Sequence, residues 1–453
     1  MLSRRARSSL AAPVRRLFAA ILLGALAAGA AIAAGRYEGV ASCAGSTCHG
    51  RAEGNGAVVR QDELRQWQEP SSRGGAHSRA YQALLSPRGQ RIAGTLGLGA
   101  AGSAPACLGC HATPPGERGD RFQLTDGVGC EGCHGPASGW IASHYAVGAS
   151  HAGNIAGGMA ALDVPVVRAS VCLDCHYGSG KPGQFVTHSM MAAGHPRLTF
   201  ELDLFSSLQQ HWDADADYAA RKPRSDSVRL WAVGQAEAVQ RALALFGRGD
   251  LASNGVFPEF TFYDCHSCHR AIDDNPARGR TFETNPGRPI AFGQPPFNDE
   301  NIIMLSAVAR VLAPQQANRF DAAARQFHAA MGMGRADAVA AGARLGAAAG
   351  ALSRAIAQGP GGSDTAFQVI AAIGERAIST RFTDYAGSVQ AVMAVDTLLN
   401  ALVREGRVTI GAAAGIRASI NRAYAAVTSP TDYSPAAFRA ALGQAVRSIA
   451  ALR

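Results

Sequence analysis

Apolar positions near the start of the chain form one continuous run. Leu17 to Ala34 follows a stretch with five arginines and no acidic residue, and the run ends in small residues such as Ala31-Ile32-Ala33. A basic start, an apolar middle and such an ending are typical of a secretory signal peptide. The run is long enough for an uncleaved anchor, but its many Ala and Gly residues favour cleavage. We therefore predict a signal peptide over residues 1–34, a periplasmic or otherwise extracytoplasmic protein, and no integral membrane segment after cleavage.

The last third of the chain has apolar residues three or four positions apart, as in packed helices. One of these stripes begins with Ser434 as N-cap and Pro435 at the first helical position. Alanine flanks most of the stripes, which suits close packing in a bundle. The proline-containing segment 281–298 is predicted to be a linker, and residues 299–453 a helical bundle. The stripes are Ile302, Leu305, Val308 and Leu312; Val392, Val395, Leu399 and Leu402; Ile416, Ile420, Tyr424 and Val427; and Phe438, Leu442, Val446 and Ile449.

Cysteine and histidine are concentrated before the linker. All ten cysteines and twelve of the thirteen histidines precede residue 270, in a part rich in Gly and Pro with short helical stretches and little strand alternation. The cysteines form five close pairs, each followed directly by histidine, with four residues inside the first pair and two inside the others. The five motifs are Cys43/Cys48-His49, Cys107/Cys110-His111, Cys130/Cys133-His134, Cys172/Cys175-His176 and Cys265/Cys268-His269.

A Cys-x-x-Cys-His motif is typical of covalent haem attachment. Two thiols add to the two haem vinyl groups, and the next histidine reaches the iron. Zinc sites and a disulfide framework are the alternatives, but neither needs a histidine after every pair. We therefore predict five covalently attached c-type haems, with His49, His111, His134, His176 and His269 as proximal iron ligands. At Cys43 and Cys48 the longer spacer leaves a plain disulfide as the rival interpretation.

The charge of the chain changes when the predicted signal peptide is set aside. The full chain has a net charge of +9, from 43 basic and 34 acidic residues. Without the five arginines of residues 1–34, 38 basic residues remain, and the net charge falls to +4. Five haems would add ten propionate carboxylates. A role in binding nucleic acid or anionic membranes therefore loses its main support, and none is expected.

The surroundings of the motifs resemble the cytochrome c-554 family of multihaem cytochromes over roughly residues 37–270. The specific core of the resemblance is Gly-Val-x-Cys-Glu-x-Cys-His-Gly at Gly127–Gly135. Thr187–Arg197 and Tyr263–Cys265 resemble larger multihaem relatives. The chain departs from the tetrahaem members by its fifth motif and its long C-terminal bundle. The other segments that carry the resemblance are Cys43–Gly50, His77–Tyr81, Cys107–His111 and His144.

This resemblance implies a fold and a set of further iron ligands. The expected fold is mainly α, with a loop-rich multihaem cytochrome c domain over residues 35–280, followed by the linker and the Ala-rich bundle, which is expected to hold no haem. Most irons would have two histidine ligands. The resemblance assigns distal roles to His77, His144, His188 and His195. The fifth distal ligand is left open among His151, His211, His266 and His328.

The expected function is electron transfer between redox proteins outside the cytoplasm, with haem supplying the redox chemistry. The alternative is a multihaem oxidoreductase that acts on a small nitrogen or sulfur compound, because some family members keep one iron five-coordinate. No sequence motif marks a pocket for such a substrate. The sequence names neither donor nor acceptor.

Overall fold

The computed structural model describes residues 35–54, 60–212, 220, 226–253, 256–270, 288–291, 293–359, 363–379 and 384–453. The predicted signal peptide, residues 1–34, lies outside this range, as do residues 281–287 and 292 of the predicted linker. The described part is almost entirely helical and contains two isolated β-bridges but no strand. The predicted mainly α fold is therefore confirmed.

The first half of the described chain consists of ten short helices joined by longer loops. The longest of the ten, α8, has twelve residues, and three-residue 3-10 turns connect several of the others. The apolar clusters in this half are small. One comprises Leu84, Ala93 and Ala101, with a few half-buried neighbours. The helices are α1 Glu63–Gln68, α2 Ala80–Leu85, α3 Pro87–Thr95, α4 Pro105–His111, α5 Cys130–His134, α6 Ile141–His144, α7 His151–Ala156, α8 Pro165–His176, α9 His188–Ala192 and α10 Leu202–Leu208.

The second half consists of eight longer helices around one large apolar core. Ser434 caps the last of them, because its hydroxyl accepts a hydrogen bond from the Ala437 amide, and Pro435 follows at the first position. The helices are α11 Ser227–Phe246, α12 Glu300–Leu312, α13 Pro314–Ala330, α14 Arg335–Gln358, α15 Ser363–Ala377, α16 Tyr385–Arg404, α17 Ile410–Ala425 and α18 Pro435–Ala450.

The large core begins well before the predicted bundle. Helix α11 packs along α14, and its Trp231 and Phe246 are almost completely buried in the same cluster as α12 to α18. Phe262, in the last attachment segment, belongs to this cluster as well. The predicted boundary at residue 298 is therefore not an edge of the hydrophobic core.

Helix α16 is long and apolar enough to cross a membrane by length and composition. However, 78% of its most apolar window is buried inside the protein. Its apolar character is thus explained by its place in the core, where it packs against α12, α15 and α17.

Candidate haem-binding sites

Four of the five cysteine–histidine motifs include helical residues, and the first lies in a hydrogen-bonded turn. The second, third and fourth motifs lie in α4, α5 and α8, each of which ends at the motif histidine. In a helix, residues three and four apart share a face, so both thiols and the imidazole point the same way. The fifth motif begins in a 3-10 turn, Cys265–Ser267. We number the sites 1 to 5 in chain order.

Site 1 accommodates its longer spacer in a local turn. The Cys48 amide donates to the Gly45 carbonyl at 2.8 Å, and the His49 amide donates to the Cys43 carbonyl at 3.1 Å. At site 5 the same bond joins the His269 amide to the Cys265 carbonyl, at 2.8 Å. The extra residues therefore bulge out, and the histidine keeps its place relative to the first cysteine. None of the ten cysteines, Cys43 and Cys48 included, forms a disulfide in the structure.

Cys268 of site 5 differs from the other nine attachment cysteines, because it is exposed whereas they are half-buried. The 3-10 turn of this motif ends at Ser267, so Cys268 and His269 follow it at the surface. Cys265, by contrast, packs against the large apolar core. The two thiols of site 5 thus have different environments. The sequence did not predict this difference, because the motif has the same two-residue spacer as sites 2, 3 and 4. A haem held by both thiols would lie against the core on one side and near solvent on the other, and attachment at Cys268 stays a prediction.

Every motif histidine faces a second histidine from elsewhere in the chain. The five pairs have similar ring-centre separations, although their interplanar angles range from 19° to 90°. The pairs are His49 with His144 at 6.1 Å, His111 with His195 at 6.4 Å, His134 with His211 at 6.2 Å, His176 with His77 at 6.0 Å, and His269 with His188 at 6.1 Å.

This separation fits one iron ion between the two rings of each pair. A histidine nitrogen lies about 2.0–2.1 Å from a bound first-row metal, so two imidazoles on opposite sides of one iron have ring centres about 6.3 Å apart. Direct stacking would bring the rings closer, to as little as about 4.5 Å. The residues present therefore fit a haem at each of the five sites, with the attachment thiols beside the pair.

Hydrogen bonds hold many of these rings by Nδ1, which leaves Nε2 for a metal. His111 Nδ1 lies 2.9 Å from the Ala80 carbonyl oxygen, and His195 Nδ1 lies 2.8 Å from the Pro196 carbonyl oxygen. Such a bond fixes the tautomer and the ring orientation of a metal-binding histidine. The other rings with an oxygen acceptor at Nδ1 are His49 by Glu63 Oε2 at 3.0 Å, His77 by Gln209 Oε1 at 2.6 Å and His211 by the Gln209 carbonyl at 3.0 Å. His144 differs, because the atom 3.0 Å from its Nδ1 is the side-chain amide nitrogen of Asn154.

Burial keeps several of the imidazoles neutral, which is the form that binds metal. It lowers the pKa of His176 to about 4, and it also lowers the pKa values of His77, His144 and His195. His49 differs, because its hydrogen bond to Glu63 raises its pKa. His176 also packs against the rings of Phe200 and Phe205, at 5.2 and 5.1 Å.

The four histidines left open by the sequence have different surroundings. Only His211 among them faces a motif histidine in the described part of the chain. His151 is half exposed and lies 3.2 Å from Asp163. His266 Nδ1 lies 2.6 Å from the Pro430 carbonyl oxygen, and His328 is buried 2.9 Å from Asp299. No local pattern around His211 marks its role, because its partner His134 is distant in the sequence.

The sites are not arranged in space in the order of the chain. The thiols of Cys43 and Cys130 are within hydrogen-bonding reach of each other, which places site 1 beside site 3. Those of Cys110 and Cys175 are likewise adjacent, which places site 2 beside site 4. Cys133 of site 3 interacts electrostatically with Cys175 of site 4.

Single residues join neighbouring sites. The buried Glu131 accepts hydrogen bonds from the amides of Glu38, Gly39 and Ala137 at 2.7–2.9 Å, which fastens the segment before site 1 to site 3. Gln209 contacts both His77 of site 4 and His211 of site 3. His188 and His195 lie on one short segment, so that segment joins site 5 to site 2.

The described residues include no group of three or more His, Cys, Asp or Glu side chains placed to hold a bare metal ion. Paired imidazoles beside cysteine pairs instead define a haem protein. Residues 42–135 match the family model described as "Cytochrome c554 and c-prime". Over these residues the chain is thus similar to a cytochrome c-554-type domain, which is a class of c-type cytochrome domain. Neither curated proteins nor solved structures give a match.

Proposed function

We propose that this chain is a pentahaem cytochrome that relays electrons between redox proteins outside the cytoplasm. The observation that carries the proposal is the set of five histidine pairs, each about 6.0–6.4 Å between ring centres. An iron with an imidazole on each side has no coordination position open for a substrate. The paired geometry therefore supports a relay over catalysis at an open haem.

In this proposal the ten cysteines hold five haems by thioether bonds, and the motif histidines bind the irons proximally. His144, His195, His211, His77 and His188 are the distal ligands of sites 1 to 5, in that order. Haem supplies one-electron redox chemistry when bound. The chain orients the imidazoles through Nδ1 and excludes water from rings such as His77 and His176.

The neighbour relations of the sites suggest a continuous series. Site 1 adjoins site 3, site 3 adjoins site 4, site 4 adjoins site 2, and the segment from His188 to His195 connects site 2 with site 5. Such a series has two ends, sites 1 and 5, where a donor and an acceptor would bind. The exposed Cys268 and His269 suit such an end at site 5. We propose redox proteins as these partners, and neither nucleic acid nor a membrane-spanning segment of this chain.

A mass measurement combined with spectroscopy tests the proposal. The purified protein should exceed its polypeptide mass by five haems, and the haems should survive acid extraction because they are covalent. Electron paramagnetic resonance of the oxidised protein should show low-spin ferric haem alone. A mass that corresponds to four haems, together with a disulfide between Cys43 and Cys48, would refute the assignment of site 1. A high-spin signal of one haem per chain would instead support the oxidoreductase.

A further inference from the structure

A buried cluster of charged groups lies where site 5 meets the bundle. It combines four carboxyl groups, two guanidinium groups and one imidazole. The carboxyl groups and the imidazole lie in or directly before the site 5 motif, α12, α13 and α16, and the two guanidinium groups come from loops. The carboxyl groups and the imidazole belong to residues less than 5% exposed. The members are Asp264, Asp299, Glu300, Asp384, Arg197, Arg288 and His328.

Three of the four carboxyl groups have a basic partner. Arg197 donates to Glu300 at 2.7 Å. Arg288 donates to Asp299 at 2.8 Å and to Asp384 at 3.0 Å. His328 Nε2 lies 2.9 Å from Asp299 Oδ2, whereas its Nδ1 has no hydrogen-bond partner among the described residues.

Asp264 is the exception in this cluster. Its Oδ1 accepts a hydrogen bond from the Ala386 amide at 3.2 Å, and among the described residues no basic side chain lies within ion-pair distance of it. The residue is 4% exposed. A buried carboxylate without a cationic partner is costly, because it has lost its hydration without gaining a counter-charge.

The charge balance of the whole cluster also disfavours an ionised Asp264. If all four carboxyl groups were ionised, the two arginines would leave a net charge of −2 below the surface. Proton uptake by one of the carboxyl groups would halve this excess. Burial and the nearby Asp384 raise the pKa of Asp264 to about 8, so Asp264 exchanges its proton within about one pH unit of that value.

The cluster adjoins site 5. Asp264 immediately precedes Cys265, the first attachment cysteine of that site, and Cys265 packs against the large apolar core. Tyr385 and Tyr433 border the cluster as neutral phenols, with Arg197 over the Tyr385 ring and the Tyr433 hydroxyl on the Asp384 carbonyl. The Arg197 side chain is 19% exposed, so the edge of the cluster reaches solvent.

We propose that Asp264 is a proton-binding site coupled to reduction of the haem at site 5, an inference that rests on the proposed function. A haem held by Cys265, Cys268, His269 and His188 would supply one-electron chemistry, and an electron taken from a reduced donor protein would lower the charge of site 5 by one. The Asp264 carboxylate then takes one proton from solvent and becomes a carboxylic acid. Oxidation releases the same electron and the same proton. By linkage, a proton that binds the reduced form more tightly makes reduction easier at lower pH.

Nuclear magnetic resonance during an electrochemical titration of the holoprotein tests this coupling. Haem methyl signals of site 5 are assigned as those altered by His188→Ala. At fixed applied potential near pH 8, the ratio of reduced to oxidised site 5 should fall by several-fold and at most about tenfold per pH unit, because at most one proton accompanies one electron. In Asp264→Asn the ratio should change less than about twofold. Asp264→Glu should restore the dependence, and the exposed control Asp250→Asn should leave it unchanged.

An infrared difference spectrum covers the case in which Asp264→Asn does not fold. Reduced-minus-oxidised spectra of the unmodified protein should show a new protonated carboxyl band that shifts when aspartate is labelled with ¹³C. The absence of that band, or a pH dependence that persists in Asp264→Asn, would overturn the proposal. A mass spectrum and an electron paramagnetic resonance spectrum of each sample distinguish failure of the proton site from failure of the proposed function. A protein with five low-spin haems whose reduction does not depend on pH would refute the proton site alone.

Discussion

His211 and His151 both lack a flanking family motif, yet their environments differ. The His211 ring faces His134 at 6.2 Å, with Nδ1 on a backbone carbonyl, whereas His151 is half exposed beside Asp163. We expect His211→Ala to leave one of five haems five-coordinate and high-spin, with the haem count unchanged. The matched control His151→Ala should stay fully low-spin. Electron paramagnetic resonance distinguishes the two variants, and a wholly low-spin His211→Ala protein would contradict the assignment.

Glu131 belongs to the Gly127–Gly135 motif but is neither an attachment cysteine nor a histidine, and its hydrogen bonds give it a structural role. Its buried carboxylate accepts three backbone amides, so its loss leaves buried donors unpaired. Each unpaired buried group costs roughly 1–3 kcal/mol. We expect Glu131→Gln, which keeps the size but replaces one acceptor oxygen by a donor, to lower the free energy of unfolding by about 1–3 kcal/mol. Glu117→Gln, at an exposed position, is the control.

Denaturant unfolding of both holoproteins gives this difference directly. If the two variants unfold at the same denaturant concentration, the carboxylate does not stabilise the loop before site 1.

Individual site residues show which parts of the site could be predicted from the sequence. The attachment cysteines and the adjacent histidines were predicted from spacing alone, because their geometry is local. Spacing did not distinguish the exposed Cys268 from its half-buried counterparts, since exposure depends on what packs around the motif. The structure now suggests His211 as the fifth distal ligand, and no sequence signal singled it out. Its pairing with His134 depends on a long-range contact, and a periodicity or a motif carries no information on such a contact.

At the level of elements, Phe246 of α11 joins parts of the chain that the sequence separated. Its ring lies 5.1–5.7 Å from those of Phe257, Phe262, Phe297 and Phe327. These rings come from the site 5 segment, from the end of the predicted linker and from α13. The four apolar stripes correspond to α12, α16, α17 and α18, whereas no stripe was assigned to α13, α14 or α15. Helix α11 was not assigned to the bundle either, because its fifteen buried residues cover nearly all its faces.

A shared core predicts that site 5 and the bundle unfold together. We expect coincident transitions when unfolding is followed by far-ultraviolet circular dichroism, which reports helix, and by the haem Soret band, which reports iron ligation. Phe246→Ala should shift both transitions by about 3–5 kcal/mol, the usual cost of removing a buried phenylalanine ring. Ile410→Ala, at a position 78% exposed, should shift neither. Separate transitions in the unmodified protein would show two independent units.

At the scale of the whole molecule, the order of the sites differs from the order of the motifs. Neighbouring cysteines place site 1 beside site 3 and site 2 beside site 4, and Gln209 joins sites 3 and 4. The sequence could not give this order, since each motif is complete by itself and says nothing about its neighbours. The loop-rich first half has only small apolar clusters of its own, which agrees with haems that fill much of its interior.

Gly109 offers a direct test of the contact between sites 2 and 4. A Cβ atom at this position would lie 2.5 Å from the Gly183 carbonyl carbon and oxygen, which are backbone atoms that move only with their segment. The Gly109 carbonyl also accepts a hydrogen bond from Gln184 at 2.9 Å. We expect Gly109→Ala to push α4 away from the segment beside α8, with a loss of about 1–3 kcal/mol in stability from overpacking. Magnetic coupling between the haems of sites 2 and 4 should weaken, while coupling between sites 1 and 3 should persist.

Gly94→Ala is the matched control, because it also lies in a short helix but has open space where the Cβ atom would be. Alanine should be neutral or slightly stabilising there, since it restricts the unfolded chain. Electron paramagnetic resonance of the oxidised proteins measures the coupling, and denaturant unfolding measures the stability. If Gly109→Ala changes neither more than Gly94→Ala does, sites 2 and 4 are not in contact through α4. The proposed series of sites 1, 3, 4, 2 and 5 would then be interrupted between sites 4 and 2.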